Sequence, residues 1–123
     1  MTALMHVAQG GHAAAIAALV AAGAEVDTKS NDGATSLMLA AQDGHAAAIA
    51  ELVAAGAEVE AKRNDGITSL MCAAQGGHAA AIAALLAAGA EVDAKNNDGK
   101  TALDFAEACE HEHAARLLRG DAM

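Results

Sequence analysis

The chain has 123 residues, 16 of them acidic and seven basic, for a formal net charge of −9. That balance disfavours nucleic acid and anionic membranes as partners, and one Phe with no Trp or Tyr removes the stacking platforms a single-stranded nucleic acid would need. Apolar residues make up 54%, mostly alanine, which allows one domain with a thin core and closely spaced helix backbones.

Thr2, Thr35, Thr68 and Thr101 recur every 33 residues, and residues 35–67 match residues 68–100 at 26 of 33 positions. A period of this length and fidelity predicts a stacked array, in which each unit touches only its neighbours and offers an extended surface. The units run over about 1–27, 28–60, 61–93 and 94–123, in a single domain 1–123.

The first unit is incomplete. It opens at Thr2 with no finger ahead of it, and its second helix, with Ile16, Leu19 and Val20, is as apolar as the later ones. This predicts either a piece of a longer array or self-association through that end. Met1-Thr2-Ala3-Leu4 has no basic stretch ahead of an apolar core, so no signal peptide is expected. The longest apolar run, 12 residues from Ala13 to Ala24 with Gly23 inside it, is shorter than a bilayer span, which takes about 20.

The second and third units share one plan. In the third, Glu58-Val59-Glu60-Ala61-Lys62 alternates apolar and charged residues, and Asn64-Asp65-Gly66 is turn chemistry, so a short β-hairpin finger is predicted between units. Thr68 stands where an N-cap hydroxyl would serve a first helix over Ser69 to Gln75. Gly76-Gly77 breaks it, and His78 leads into a second helix, Ala79 to Ala88, which Gly89 ends. Ile82, Leu85 and Leu86 form one apolar stripe, as do Ile49, Leu52 and Val53 in the unit before. Met5, Met38 and Met71 occupy equivalent first-helix positions and are expected to pack between units. The last unit, Thr101 to Gly120, keeps Leu103, Phe105, Leu117 and Leu118 inside but is polarised by Glu107, Glu110, Glu112, Arg116 and Arg119, as a capping repeat requires.

Chemistry-bearing residues give no catalytic arrangement. His12, His45 and His78 recur through duplication, and stacked units would hold them about 10 Å apart, too far to share an ion. Glu110-His111-Glu112-His113 is denser and could catch a divalent cation weakly, but it lacks the spacing that sets two imidazoles on one helical face, so a solvated helix start is favoured. Cys72 and Cys109 fall on first helices of adjacent units, about 8–10 Å apart across the stack. A disulfide closes within about 7 Å, so they are read as reduced, partly buried thiols in a cytoplasmic protein.

Gly33-Ala34-Thr35-Ser36-Leu37-Met38-Leu39-Ala40-Ala41, then Gly44-His45, then Ala55-Gly56-Ala57-Glu58-Val59 resemble the ankyrin repeat family over nearly the whole chain. The fold expected is thus an all-α repeat solenoid with short β-hairpin connections, an ankyrin-like stack of about four repeats. Two departures stand out. The family's Thr-Pro-Leu-His becomes Thr35-Ser36-Leu37-Met38 and Thr68-Ser69-Leu70-Met71, which removes a pre-organised first-turn proline and a hydrogen-bonding histidine. A softer contact between repeats is expected.

The resemblance implies a protein–protein interaction module that uses hairpin tips and first helices, with no cofactor and no metal. It carries the binding role onto Lys29, Ser30, Asn31 and Ala34 of one finger, and onto Lys62, Arg63, Asn64 and Ile67 of the next. Lys95, Asn96 and Lys100 complete it on the last finger, with Gln42, Asp43 and Gln75 at the ends of first helices. Several of these positions drift between otherwise identical units. The segments 28–34, 61–67 and 94–100 hold five basic and three acidic residues, a weak preference for a partner with an acidic patch. Two alternatives remain open: an engineered or consensus-like scaffold with no natural ligand, which the near-identity of the units fits, and a weak metal-binding or regulatory domain of a longer protein.

Overall fold

Every first helix starts at a threonine in extended conformation whose hydroxyl accepts an amide three residues on. In the computed structural model, which describes residues 1–120, Thr2 caps α1 (Ala3–Gln9), Thr35 caps α3 (Ser36–Gln42), Thr68 caps α5 (Ser69–Gln75) and Thr101 caps α7 (Ala102–Ala108). The cap distances are 3.1 to 3.3 Å. Residues 121–123 of the last expected unit lie outside the described residues.

A tight turn reverses the chain after each first helix, and a second helix follows: α2 (Ala13–Ala21), α4 (Ala46–Ala54), α6 (Ala79–Ala87) and α8 (Glu112–Arg119). These have no side-chain cap. Their alanine-rich sequences favour helix intrinsically, and tertiary packing does the rest.

The helices form two rows. First helices pack on first helices, second on second, and each pair packs on itself. Ala40, Ala41, Ala73 and Ala74 are fully buried, and such small side chains let the first-helix row close up more tightly than the second. The expected stripes face inward: Ile16, Ile49, Ile82, Leu52 and Leu85 are fully buried, while Val20, Val53 and Leu86 are half-buried against them. Burial of one such leucine or isoleucine is worth roughly 1.5–3 kcal/mol. The methionines behave as expected, with Met5, Met38 and Met71 at 1%, 2% and 1% exposure.

The connections differ from the expected β-hairpins. No strand forms among the described residues. Each finger is a turn closed by two backbone bonds: Ser30 N–H to Ala34 O, Arg63 N–H to Ile67 O and Asn96 N–H to Lys100 O, each 2.9 Å, and inside them Gly33, Gly66 and Gly99 N–H to the carbonyls of Ser30, Arg63 and Asn96 at 2.8 to 3.0 Å. The arm leading to it bends instead of extending, with Ala61 N–H donating to Glu58 O at 3.4 Å. Between fingers a single backbone bond forms per step, Asn64 N–H to Asp32 O and Asn97 N–H to Asp65 O. One bond per step is too few for a ladder.

Candidate functional site

Three different residues solve the same problem at the three finger tips. In the first, Ser30 hydroxyl donates to Asp32, and both oxygens face the Ala34 amide. In the second, Arg63 grips Asp65 with two bonds of 3.0 and 2.7 Å, and Asp65 accepts the Ile67 amide. In the third, Asn96 Oδ1 accepts the amides of Asp98 and Lys100 directly, both at 2.9 Å. The Ser30 hydrogen bond holds the Asp32 carboxyl below the usual range, and the Arg63 guanidinium does the same for Asp65. Drift at 30, 63 and 96 therefore exchanges one turn closure for another.

Lys29, Ser30, Asn31 and Ala34 come together around one depression of about 570 Å³, whose walls also include Thr2, Met5 and Leu39. Ala34, where the next unit carries Ile67, is part of its lining. Met5 and Ala34 are buried beneath it, and Leu39 is half-buried. The result is an apolar floor with a polar rim. Lys100 lines a smaller hollow of about 230 Å³ with Asp104, Phe105 and Ala108.

Not all the expected residues share this surface. Ala34 and Ile67 are only 7% and 6% exposed, so they shape the surface from below and offer a partner little area. Gln42, Asp43 and Gln75 are exposed, but they sit at the far ends of seven-residue first helices, about 10 Å from the fingers at 1.5 Å rise per residue. Lys62, Arg63, Asn64, Lys95 and Asn96 continue the row on the later fingers.

Some of those side chains are already engaged within the protein. Lys29 Nζ donates to Lys62 O and Lys62 Nζ to Lys95 O, both at 3.1 Å. Asn64 Nδ2 donates to Asn31 O at 3.2 Å. At the opposite end of the first helices, Nε2 of His45, His78 and His111 lies 3.0 to 3.1 Å from the carbonyls of Gln9, Gln42 and Gln75. Duplication marks His45 and His78 as structural and the sequence sets His111 in a weak cation segment, but the partners of all three lie in the preceding repeat. The recurrence of Lys, Asn and His at constant spacing was the available signal.

Nothing in the candidate metal segment converges on an ion. No cluster of three or more His, Cys, Asp or Glu suited to a metal occurs among the described residues. His111 is bonded to Gln75 O, and Glu112 accepts from Arg116 and Arg119 at 3.4 and 3.1 Å. The cysteines are unpaired. Burial pushes the Cys72 thiol up to about 11, which keeps it protonated and unreactive, whereas Cys109, expected to be partly buried, is exposed just past α7. No described helix is long and apolar enough to cross a membrane.

The paired helices, capping threonines and glycine–histidine turns match one known pattern. A family comparison finds ankyrin repeats in three copies, over residues 1–63 and 37–122. The chain belongs to the ankyrin repeat family. Ankyrin repeats are generally protein–protein interaction modules and typically non-catalytic. A comparison with curated proteins finds no match.

Proposed function

We propose that this ankyrin array is a cytoplasmic binding module, without chemistry of its own, that grips a partner protein along its fingers and first helices. The four helical pairs are counted as four repeats, the first incomplete. The observation that carries the reading is the apolar-floored, polar-rimmed depression between the first finger and α1 and α3. Aliphatic floor and polar rim are what a partner side chain needs for burial and orientation.

The weak preference for an acidic patch rests on Lys95 and Lys100, whose side chains have no ion-pair or hydrogen-bond partner among the described residues, since Arg63 is already neutralised by Asp65. A second reading, self-association through the first repeat, draws on its outer face. Ala3, Val7, Ala15 and Leu19 are more exposed than Ser36, Ala40, Ala48 and Leu52, their buried equivalents.

The test compares capture by immobilised protein with two variants, Leu39→Asp in the depression and Glu51→Lys on the exposed second-helix row, each first checked for retained helicity. Capture lost in Leu39→Asp and kept in Glu51→Lys supports the finger surface. The reverse pattern overturns it.

A further inference from the structure

Every finger has the same Asn-Asp-Gly tip, at 31–33, 64–66 and 97–99, so each serves as a control for the others. An Asp-Gly step has a reaction open to it. The glycine amide nitrogen attacks the aspartate Cγ, one water leaves, and a five-membered succinimide ring forms. Glycine has no Cβ to shield its amide from that approach. Water then reopens the ring at either carbonyl. One opening restores aspartate; the other gives isoaspartate, whose backbone runs through the side-chain carbon. One water leaves and one returns, so neither oxidant nor cofactor is needed.

The tips differ in how the carboxylate is employed. Asp32 accepts from the Ser30 hydroxyl and from the Ala34 amide. Asp65 accepts two bonds from Arg63 and one from the Ile67 amide. Both carboxylates are thereby fixed on the amide that follows the glycine, and the bonds favour their ionised form. Ring closure expels water from the neutral acid, so such bonds slow it. In the last finger Asn96 Oδ1 takes over the duty, accepting the Asp98 and Lys100 amides at 2.9 Å. Among the described residues the Asp98 carboxylate accepts no hydrogen bond and joins no ion pair, and Asp98 and Gly99 are both exposed. The backbone is not the source of the difference. In all three tips the glycine has φ between 76° and 87° and donates to the carbonyl three residues back.

Room around the glycine differs as well. A Cβ at Gly33 or Gly66 would meet an asparagine of the next finger at 2.7 Å, whereas at Gly99 nothing beyond its chain neighbours lies within 4 Å among the described residues. Asp43-Gly44 is a further Asp-Gly step, and its carboxylate is also unengaged among the described residues. Its glycine, however, is pinned in the turn between α3 and α4 against the His78 ring. A free carboxylate and an open glycine coincide at 98–99.

We infer that Asp98 is a modification site, converted spontaneously to isoaspartate through a succinimide with Gly99. The product adds one carbon to the backbone inside the loop that the Asn96–Lys100 bond closes, and it leaves the α-carboxylate as a branch.

The full chain is aged for weeks in mildly acidic buffer at physiological temperature. Tryptic peptides are then separated and read by electron-transfer fragmentation, which tells isoaspartate from aspartate at equal mass. Isoaspartate should accumulate at 98 severalfold faster than at 32, 43 or 65. In urea the four sites should react at similar rates, because the folded finger is what discriminates. Asn96→Arg and Asn96→Ser, which import the closures of the second and first tips, should each slow reaction at 98 severalfold in chains that retain native helicity. Equal rates at the four folded sites, or a faster reaction at 43, overturn the inference. So does a preference for 98 that persists in urea, or an undiminished rate in both variants.

Discussion

Thr68 and Ser69 are neighbours with opposite consequences. The Thr68 hydroxyl satisfies the Met71 amide at 3.3 Å, whereas Ser69 Oγ is buried with no partner among the described residues. Thr68→Ala should lower stability by about 1 kcal/mol, the usual worth of an N-cap, read as a shift in urea midpoint at constant slope. Ser69→Pro should raise it by about 0.4–1 kcal/mol. Ser69 is the first helical residue, its amide is free of intrahelical duty, and Thr68 at φ −100°, ψ 169° already has the conformation a following proline demands. A destabilised Ser69→Pro would show that the ring does not fit the packed interface. Asp104 gives a pH signature. It accepts the Thr101 amide in a reciprocal cap, which lowers its pKa. Because the folded value lies below the unfolded one, its stabilisation is complete at neutral pH and is lost as pH falls through the carboxylate range. Asp104→Asn should flatten that part of an acid titration of the unfolding midpoint.

Turns between paired helices are governed by contacts at the next scale. Gly44 has φ 75°, a left-handed conformation, and a Cβ there would lie 2.5 Å from the His78 ring, which itself reaches back to Gln42 O. Backbone and neighbour both demand glycine. Glu110 holds the same place in the last turn at φ 60°, with a side chain, because no further histidine lies against it among the described residues. Gly44→Ala should therefore cost more than the roughly 1–2 kcal/mol of the backbone conformation alone. In a His78→Ala background the excess should vanish, since the obstructing ring is gone, and a double-mutant cycle by urea denaturation measures that coupling. Additive losses would mean the ring moves freely.

Across the whole array, stability is carried by interfaces between neighbours. The outer faces of the two ends differ. Positions buried in the second repeat are exposed or half-exposed at Ala3, Val7, Ala15 and Leu19, while the last pair turns Arg116 and Arg119 outward into pairs with Glu107 and Glu112. Exposed ion pairs add little stability, so the C-terminal polar face serves solubility more than folding. Amide hydrogen exchange should be fastest in α1 and α2 and slowest in α3 to α6, which have neighbours on both sides. Uniform protection would indicate one global unfolding unit.

Helix starts, the inward stripes at Ile49, Leu52, Ile82 and Leu85, the buried methionines and the polarised last pair were all legible from the letters, because each depends on residues within a turn or two of chain. The fingers were legible as turns but not as the compact loops they are. Of the candidate site, the recurrence at the tips located the fingers themselves. It could not show that Lys29, Lys62 and Asn64 spend polar groups on the next repeat, that Ala34 and Ile67 lie beneath the surface, or that Gln42 and Gln75 stand a helix-length away. Those facts are contacts between residues 31 to 36 positions apart, His78 with Gln42, Asn64 with Asn31 and Glu58 with Asp27 among them. The 33-residue period by itself determined the helical pairs and their order, since capping, propensity and apolar spacing act locally. Only stacking decided which polar atoms remain open to a partner, because a hydrogen bond between repeats depends on how two copies of a turn lie over one another.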